Sequence, residues 1–351
     1  LIFELEQAAA RRSLSIPNRQ TMKSRISRWE NGHAAPDEFY RQLLREAFGL
    51  DDRELGLEER SDDEPTAADD LRMRLLSALE SDGCLIEALR SQTDAIRIQD
   101  RQFGAGLLLE VVRGHVASID QHLGHAVFEV NRRALAEQLA DAGALAGWQA
   151  LDVGGLDQAW RFFELASAAA LRANDFSMFA FARLEQAHIV HELAGAHVAA
   201  RLAESIWTET RRRVSEPVRC WMAAAVAELQ AEEAPASSRR MLAKAESLVD
   251  ATDSAPAYVV LDRAHLSRWR GHTLVQMRDP AAEAVLLEAE SEMHPSFIRA
   301  AASLNLDLAA AQLQRGGKDE AAERSQRATE LARRVGSRRI LARLEALRVA
   351  S

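Results

Sequence analysis

Signals that stop helices recur along this chain at a regular interval, and that regularity constrains the fold more than any other feature. Gly154-Gly155, Gly195, Pro235, Asp279-Pro280 and Gly316-Gly317 lie about forty residues apart. A second set, Asn174-Asp175, Glu216-Pro217, Ser254 to Pro256, His294-Pro295 and Gly336, falls between them at the same interval. Two turns per period mean two helices per unit, repeated about five times. A single hairpin cannot bury its apolar stripe, so each must stack on the next. The expectation is an all-α chain whose larger part is an α-solenoid of helix hairpins over residues 71–351. The last unit carries a small-residue stripe, Ala321, Ser325, Ala328, Ala332 and Val335, at helical spacing for close helix approach. Residues 71–140 also read as helix, with a period blurred by Gly83, Gly104, Gly106, Gly114 and Gly124.

In such an array the first helix of each hairpin lines the concave side. The candidate first helices run from Ser177 to Ala194, Val218 to Gln230, Tyr258 to Gln276 and Phe297 to Gln314. Their polar residues Arg183, Gln186, Arg219, Arg263, Arg299, Asn305 and Gln312 are the candidate lining of a groove for a peptide, small-molecule or protein ligand. Trp148, Trp160, Trp207, Trp221 and Trp269 are expected to pack between hairpins.

The N-terminal fifty residues read differently. Net charge over the chain is −9, yet from Arg11 to Arg28 there are six bases and no acid, followed from Asp51 to Asp70 by ten acids against two bases. Local sign is what a phosphate meets within a Debye length of roughly 10 Å. Leu1 to Arg12 is a helix with Leu1, Leu5, Ala8 and Ala9 on one face, and Ser15-Ile16-Pro17-Asn18 is a turn. Thr21 to Glu30 is a second helix, with Thr21 as N-cap and Gly32 as its stop. Asp37 to Phe48 is a third, with Phe39, Leu43, Leu44 and Ala47 inward. This gives a small domain over residues 1–56 and an acidic linker over 57–70 containing Pro65.

A DNA-reading helix needs one face of donors and another that anchors it, and must fit a major groove about 12 Å wide. Met22, Ile26 and Trp29 supply the anchor, and Lys23, Ser24, Ser27 and Arg28 supply donors. With Arg25 on the same helix and Asn31 and His33 in the following turn, these form the candidate DNA-binding set. The run Ile26-Ser27-Arg28-Trp29-Glu30-Asn31-Gly32, then Pro36 and a helix ending Phe48-Gly49-Leu50, resembles the Xre/Cro/C1-type helix-turn-helix. More narrowly, small domain plus repeats resembles actinobacterial regulators with a tetratricopeptide-like C-terminal half. That family has four or five helices in this domain, where three are visible. Leu1 to Arg12 is read as the family's second helix, with the first missing; the alternative is that it is the first, with the second lost.

Other chemistry finds little footing. His188-Ile189-Val190-His191 and His122-Leu123-Gly124-His125 pair histidines at i, i+3, but no third or fourth ligand accompanies them, so no metal is expected. Gly104-Ala105-Gly106 lacks the rest of a dinucleotide fingerprint, no nucleophile elbow or P-loop is present, and neither an enzyme nor a cofactor is expected. Cys84 and Cys220 have no metal or redox spacing, and no run approaches a membrane span, so the protein is expected in the cytoplasm. The resemblance implies a transcriptional regulator that binds double-stranded DNA as a homodimer. The competing expectation is a protein-interaction scaffold whose helix-turn-helix no longer binds DNA.

Overall fold

The computed structural model describes residues 1–31, 33–57, 67–80, 83–249, 255–294 and 296–350. Every regular element among them is helical, seventeen α-helices and one 3-10 turn, with no strand. None of the described helices is long and apolar enough to cross a membrane. The chain divides into two compact units, Leu1–Met73 and Arg74–Ser351.

The first unit holds α1 (Ile2–Arg11), α2 (Arg19–Glu30) and α3 (Glu38–Phe48). Leu5, Ala8 and Ala9 of α1, Met22 and Ile26 of α2, and Tyr40, Leu43 and Leu44 of α3 form its core, with Trp29 and Ala47 partly buried against it. The expected face of α3 needs one correction: Phe39 is 40% exposed and Tyr40 takes the inward place. Leu1 is likewise exposed. The start of α2 is also earlier than expected. Asn18, not Thr21, is the N-cap, its Oδ1 accepting from both the backbone N–H and the hydroxyl of Thr21 at 3.0 Å. Asp37 caps α3, and Gly49 ends it in the left-handed conformation. Gly32, Pro65 and most of the acidic linker lie outside the described residues. The linker's last four positions, from Ala67, already belong to α4 (Ala67–Glu80).

The second unit continues with α5 (Gly83–Phe103), α6 (Leu109–His125), α7 (Glu129–Asp152), α8 (Leu156–Ala173), α9 (Phe176–Ala194), α10 (Ala196–Thr210), α11 (Glu216–Gln230) and α12 (Pro235–Glu246). It ends with α13 (Arg263–Gln276), α14 (Ala282–Glu292), α15 (Ile298–Gln314), α16 (Lys318–Arg334) and α17 (Arg338–Ala350). Each turn signal that falls on described residues lies between two helices or opens the second, as Glu216-Pro217 opens α11. Asn174 adopts the left-handed conformation between α8 and α9, and Pro235 is the first residue of α12. One candidate first helix was misplaced: Tyr258 precedes α13, which begins at Arg263 behind the N-cap Asp262.

From α7 onward each helix packs on the next, and the odd-numbered helices α5, α7, α9, α11, α13, α15 and α17 also pack on one another in series. They form an inner row backed by the even-numbered helices. Buried on nearly all sides, inner helices cannot show an amphipathic stripe: α11 buries Ala223, Ala224, Ala225, Val226 and Ala227 in succession. Small residues set the spacing of the layers. A Cβ on Gly271 of α13 would stand 2.5 Å from Leu286 Cδ2 of α14.

The row curls until its end meets its beginning, α15 touching α5 and α17 touching α7. Arg299 of α15 makes the clasp. It donates through Nη1 and Nη2 to both oxygens of Asp100 on α5, at 2.9 and 3.1 Å, and through Nε to Asp152 on α7 at 2.8 Å. Ser337, fully buried, donates to the other oxygen of Asp152 at 2.5 Å. Gly104 completes the seam: at φ +81°, a Cβ there would lie 1.8 Å from the carbonyl oxygen of Val335.

Candidate functional site

Two places gather polar groups that internal structure does not consume. The first is the outer face of α2. Met22, fully buried, and Ile26, 7% exposed, fix the helix to its unit, each side chain contributing roughly 1.5–3 kcal/mol by its burial. On the other faces Lys23, Ser24, Ser27, Arg28, Asn31 and His33 are all exposed. The six bases between Arg11 and Arg28 are not equivalent. Arg11 and Arg12 pair with Glu46, and Arg19 binds Glu6 through two hydrogen bonds of 2.9 and 2.7 Å. Arg25 turns back into the unit, donating to the Tyr40 hydroxyl at 3.0 Å with its guanidinium 5.2 Å from the ring centre. Asn31 closes the end of α2 by donating to the Ser27 carbonyl at 2.6 Å. Among the described residues, Lys23 and Arg28 carry no ion pair.

The second place is a cavity of about 310 Å³ inside the curled row of the larger unit. Every inner helix reaches it. Trp148 comes from α7, Phe181 from α9, Trp221 from α11, Trp269 from α13 and Phe297 from the start of α15, with Tyr258 from the segment before α13. The rings touch in a chain: Phe181 lies 4.6 Å from Trp221 and 4.9 Å from Tyr258, and Trp221 lies 6.0 Å from Trp269. Trp148, Trp207, Trp221 and Trp269 pack into the hairpin core as expected, and Trp148, Trp221 and Trp269 also wall the cavity; the expectation needs correction for Trp160, which is 38% exposed.

Polar groups share this wall in two classes. The first is internally compensated. His272 of α13 bonds Asp307 of α15 through Nδ1 at 2.7 Å and approaches Glu228 of α11 at 3.5 Å. The Trp269 indole N–H donates to Glu228, and Arg343 of α17 donates to Asp307 at 3.2 Å. Burial alone would lower the His272 imidazole, but Asp307 and Glu228 overcome it and push the ring up to about 9. Burial opposes the charge of Glu228 as well, yet His188 and His272, with the bonds from His272 and Trp269, hold its carboxyl well below the usual range. His188, buried without an equal compensation, is pushed down to about 4.

Each member of the second class keeps a polar atom that nothing among the described residues bonds. Glu185 of α9 is 7% exposed, lines the cavity and makes no hydrogen bond or ion pair among the described residues. Burial pushes its carboxyl up to about 7. Arg268 of α13 is half-buried; its Nε is buried with no acceptor and its guanidinium makes no contact ion pair among the described residues, with Asp307 and Glu228 acting on it only through space. His265, one turn earlier, donates from Nδ1 to Asp262 at 2.8 Å, which leaves its buried Nε2 open on the cavity side.

Of the seven groove residues read from the sequence, Arg299 lines the cavity and the other six do not. Arg183 and Gln186 bind each other, and Gln186 donates to Glu164 of α8 at 3.0 Å. Asn305 accepts from Arg324 of α16, and Gln312 donates to Glu283 of α14. These four side chains cement hairpins rather than face inward. Arg219 is half-buried with its Nε lacking an acceptor, and Arg263 is exposed at the start of α13; neither touches the cavity. The residues overlooked share one phase. Glu185 and His188 are spaced i, i+3; Trp221 and Glu228 i, i+7; His265, Arg268, Trp269 and His272 i, i+3, i+4, i+7; Arg339 and Arg343 i, i+4. A polar or aromatic stripe of that period on an otherwise alanine-rich helix was the readable signal.

Among the described residues no group of three or more His, Cys, Asp or Glu is placed to hold a metal ion. Compared with protein-family models and with curated proteins, the chain matches none of them.

Proposed function

We propose that this protein is a sequence-specific DNA-binding transcriptional regulator of the cytoplasm. Its small unit is a helix-turn-helix domain, and its larger unit is a tetratricopeptide-like solenoid that takes a ligand in its interior. The observation that carries the reading is the divided surface of α2. Its apolar face is locked in the core, while Lys23, Ser24, Ser27 and Arg28 stand on exposed faces without ion pairs among the described residues. In the proposed mechanism α2 lies in the major groove with these four groups toward bases and backbone, and Asn31 and His33 near phosphate. A homodimer presents two such helices about 34 Å apart. A ligand bound within the larger unit alters regulation by binding one arrangement of the dimer better than another.

Selection of bound genomic fragments followed by anisotropy titration over a salt series tests this. The K23A/R28A protein should lose affinity for all fragments, and the slope of log K against log salt should fall by about 2. Retention of full affinity in that variant refutes the proposed role of α2. A second reading, a scaffold that no longer binds DNA, draws on one specific observation: Glu6 and Glu46 neutralise Arg11, Arg12 and Arg19 within the unit. Binding that shows no sequence preference favours the scaffold.

A further inference from the structure

We infer that the interior cavity selects a small, flat, apolar molecule bearing one carboxylate, held between aromatic walls with its charge on Arg268. The inference rests on the ligand-binding half of the function proposed above and names the ligand's chemistry.

Size comes first. At about 310 Å³ the cavity is at the small end of ligand sites, suited to a single compact molecule rather than an extended peptide. Shape follows from the walls. Trp148, Phe181, Trp221, Tyr258 and Trp269 offer ring faces and edges from four inner helices and the segment before α13, which favours a planar body that can stack among them.

Charge is the deciding feature. Most ionic groups of the wall are matched within the protein: Arg299 by Asp100 and Asp152, Arg343 by Asp307, Arg339 by Glu192, and His272 by Asp307 and Glu228. Arg268 is not. Burial disfavours a guanidinium that touches no anion, and a bound carboxylate would supply the contact partner in fork geometry. Glu185 is the one ionisable side chain of the wall, among the described residues, that is nine-tenths buried and has neither hydrogen bond nor ion pair. Burial favours its neutral form, in which it donates a proton to a ligand oxygen instead of repelling it.

The test uses the full chain without DNA and three probes of one shape: 2-naphthoate, 2-naphthalenemethanol and 2-naphthylmethylammonium. Quenching of tryptophan fluorescence reports occupancy, since three tryptophans line the cavity. The naphthoate should bind about tenfold or more tighter than the alcohol, and the ammonium weakest. R268Q should remove the preference for the anion, and R268K should keep most of it, with thermal melts confirming that both variants are folded. Equal affinities for the three probes, tightest binding of the ammonium, or an unchanged preference in R268Q would overturn the inference while leaving a ligand-binding cavity in place. Failure of every probe to bind overturns the inference and the ligand-binding reading together. Neither outcome touches DNA binding by α2, which is measured separately.

Discussion

Replacing Arg299 by methionine keeps much of the side-chain bulk and removes the clasp between the two ends of the inner row. Its partners Asp100 and Asp152 are 5% and 3% exposed, so the substitution strands two carboxylates where water scarcely reaches. Breaking one side of a buried ion pair costs about 3–5 kcal/mol. Because Arg299 itself retains 16% exposure, the lower figure of about 3 kcal/mol applies. Unfolding entropy near 2.1 cal/mol/K per residue gives roughly 0.6 kcal/mol/K for a unit of roughly 280 residues, so the melting temperature should fall by about 5 °C. Differential scanning calorimetry measures this directly. The companion protein D100N/D152N separates lost attraction from stranded charge: adding R299M to it should cost less than about 1 kcal/mol. A fall under about 1 °C in the single variant, or an equal fall in both backgrounds, refutes the clasp as a source of stability.

The seam makes a second demand: G104A places a side chain against the Val335 carbonyl at a positive φ and should destabilise the larger unit by more than about 2 kcal/mol, read as a fall in melting temperature. N18A removes the acceptor that starts α2 and should cost about 1 kcal/mol in a denaturant melt of the small unit. Stability should also depend on pH in a defined window. His272 titrates near 9 in the fold against 6.5 as its ordinary value, so its contribution is full below about 6.5 and fades as pH rises through 9. Glu185, raised from 4.5 to about 7, acts in the same direction at lower pH, its contribution full below 4.5 and lost through 7. His188, pushed down to about 4, opposes Glu185 below about 6.5, so melting temperature should decline from about pH 6.5 toward alkaline pH, and H272Q should flatten that decline; an unchanged slope would contradict the assignment.

Turn chemistry was the most legible part of this chain. Gly154, Asn174, Gly195 and Gly336 have positive φ, and a residue that permits that conformation can be recognised without knowing what it packs against. Helix starts were less legible where two cap residues competed: Asn18 and Thr21 are both good N-caps, and the hydrogen bond from Thr21 to Asn18 shows why the earlier one wins. Rotational phase was the hardest to read. Phe39 and Tyr40 are adjacent and aromatic, and Tyr40 turns inward because its hydroxyl receives Arg25 while its ring meets Trp29 at 5.1 Å. On α9 a step of one or two residues separates Arg183 and Gln186, which face α8, from Glu185, which faces the cavity. A helix buried on nearly all sides gives no apolar stripe from which to measure that angle, so the cavity wall emerges only when neighbouring helices fix the phase.

The contact between α15 and α5 carries a consequence for how such a chain can change. In an open array a hairpin can be duplicated or lost and the remainder still stacks, because each unit answers only to those beside it. Here residues 100 and 299 must meet, and Gly104 must slide beneath Val335, so the arc between them has a fixed length. Inserting or deleting one hairpin would carry Arg299 away from both aspartates and open the interior to solvent. The number of hairpins is thus held by closure, much as a ring admits only a set number of links. Divergence is confined to substitutions that preserve the circumference, among which are those that alter the inward-facing side chains.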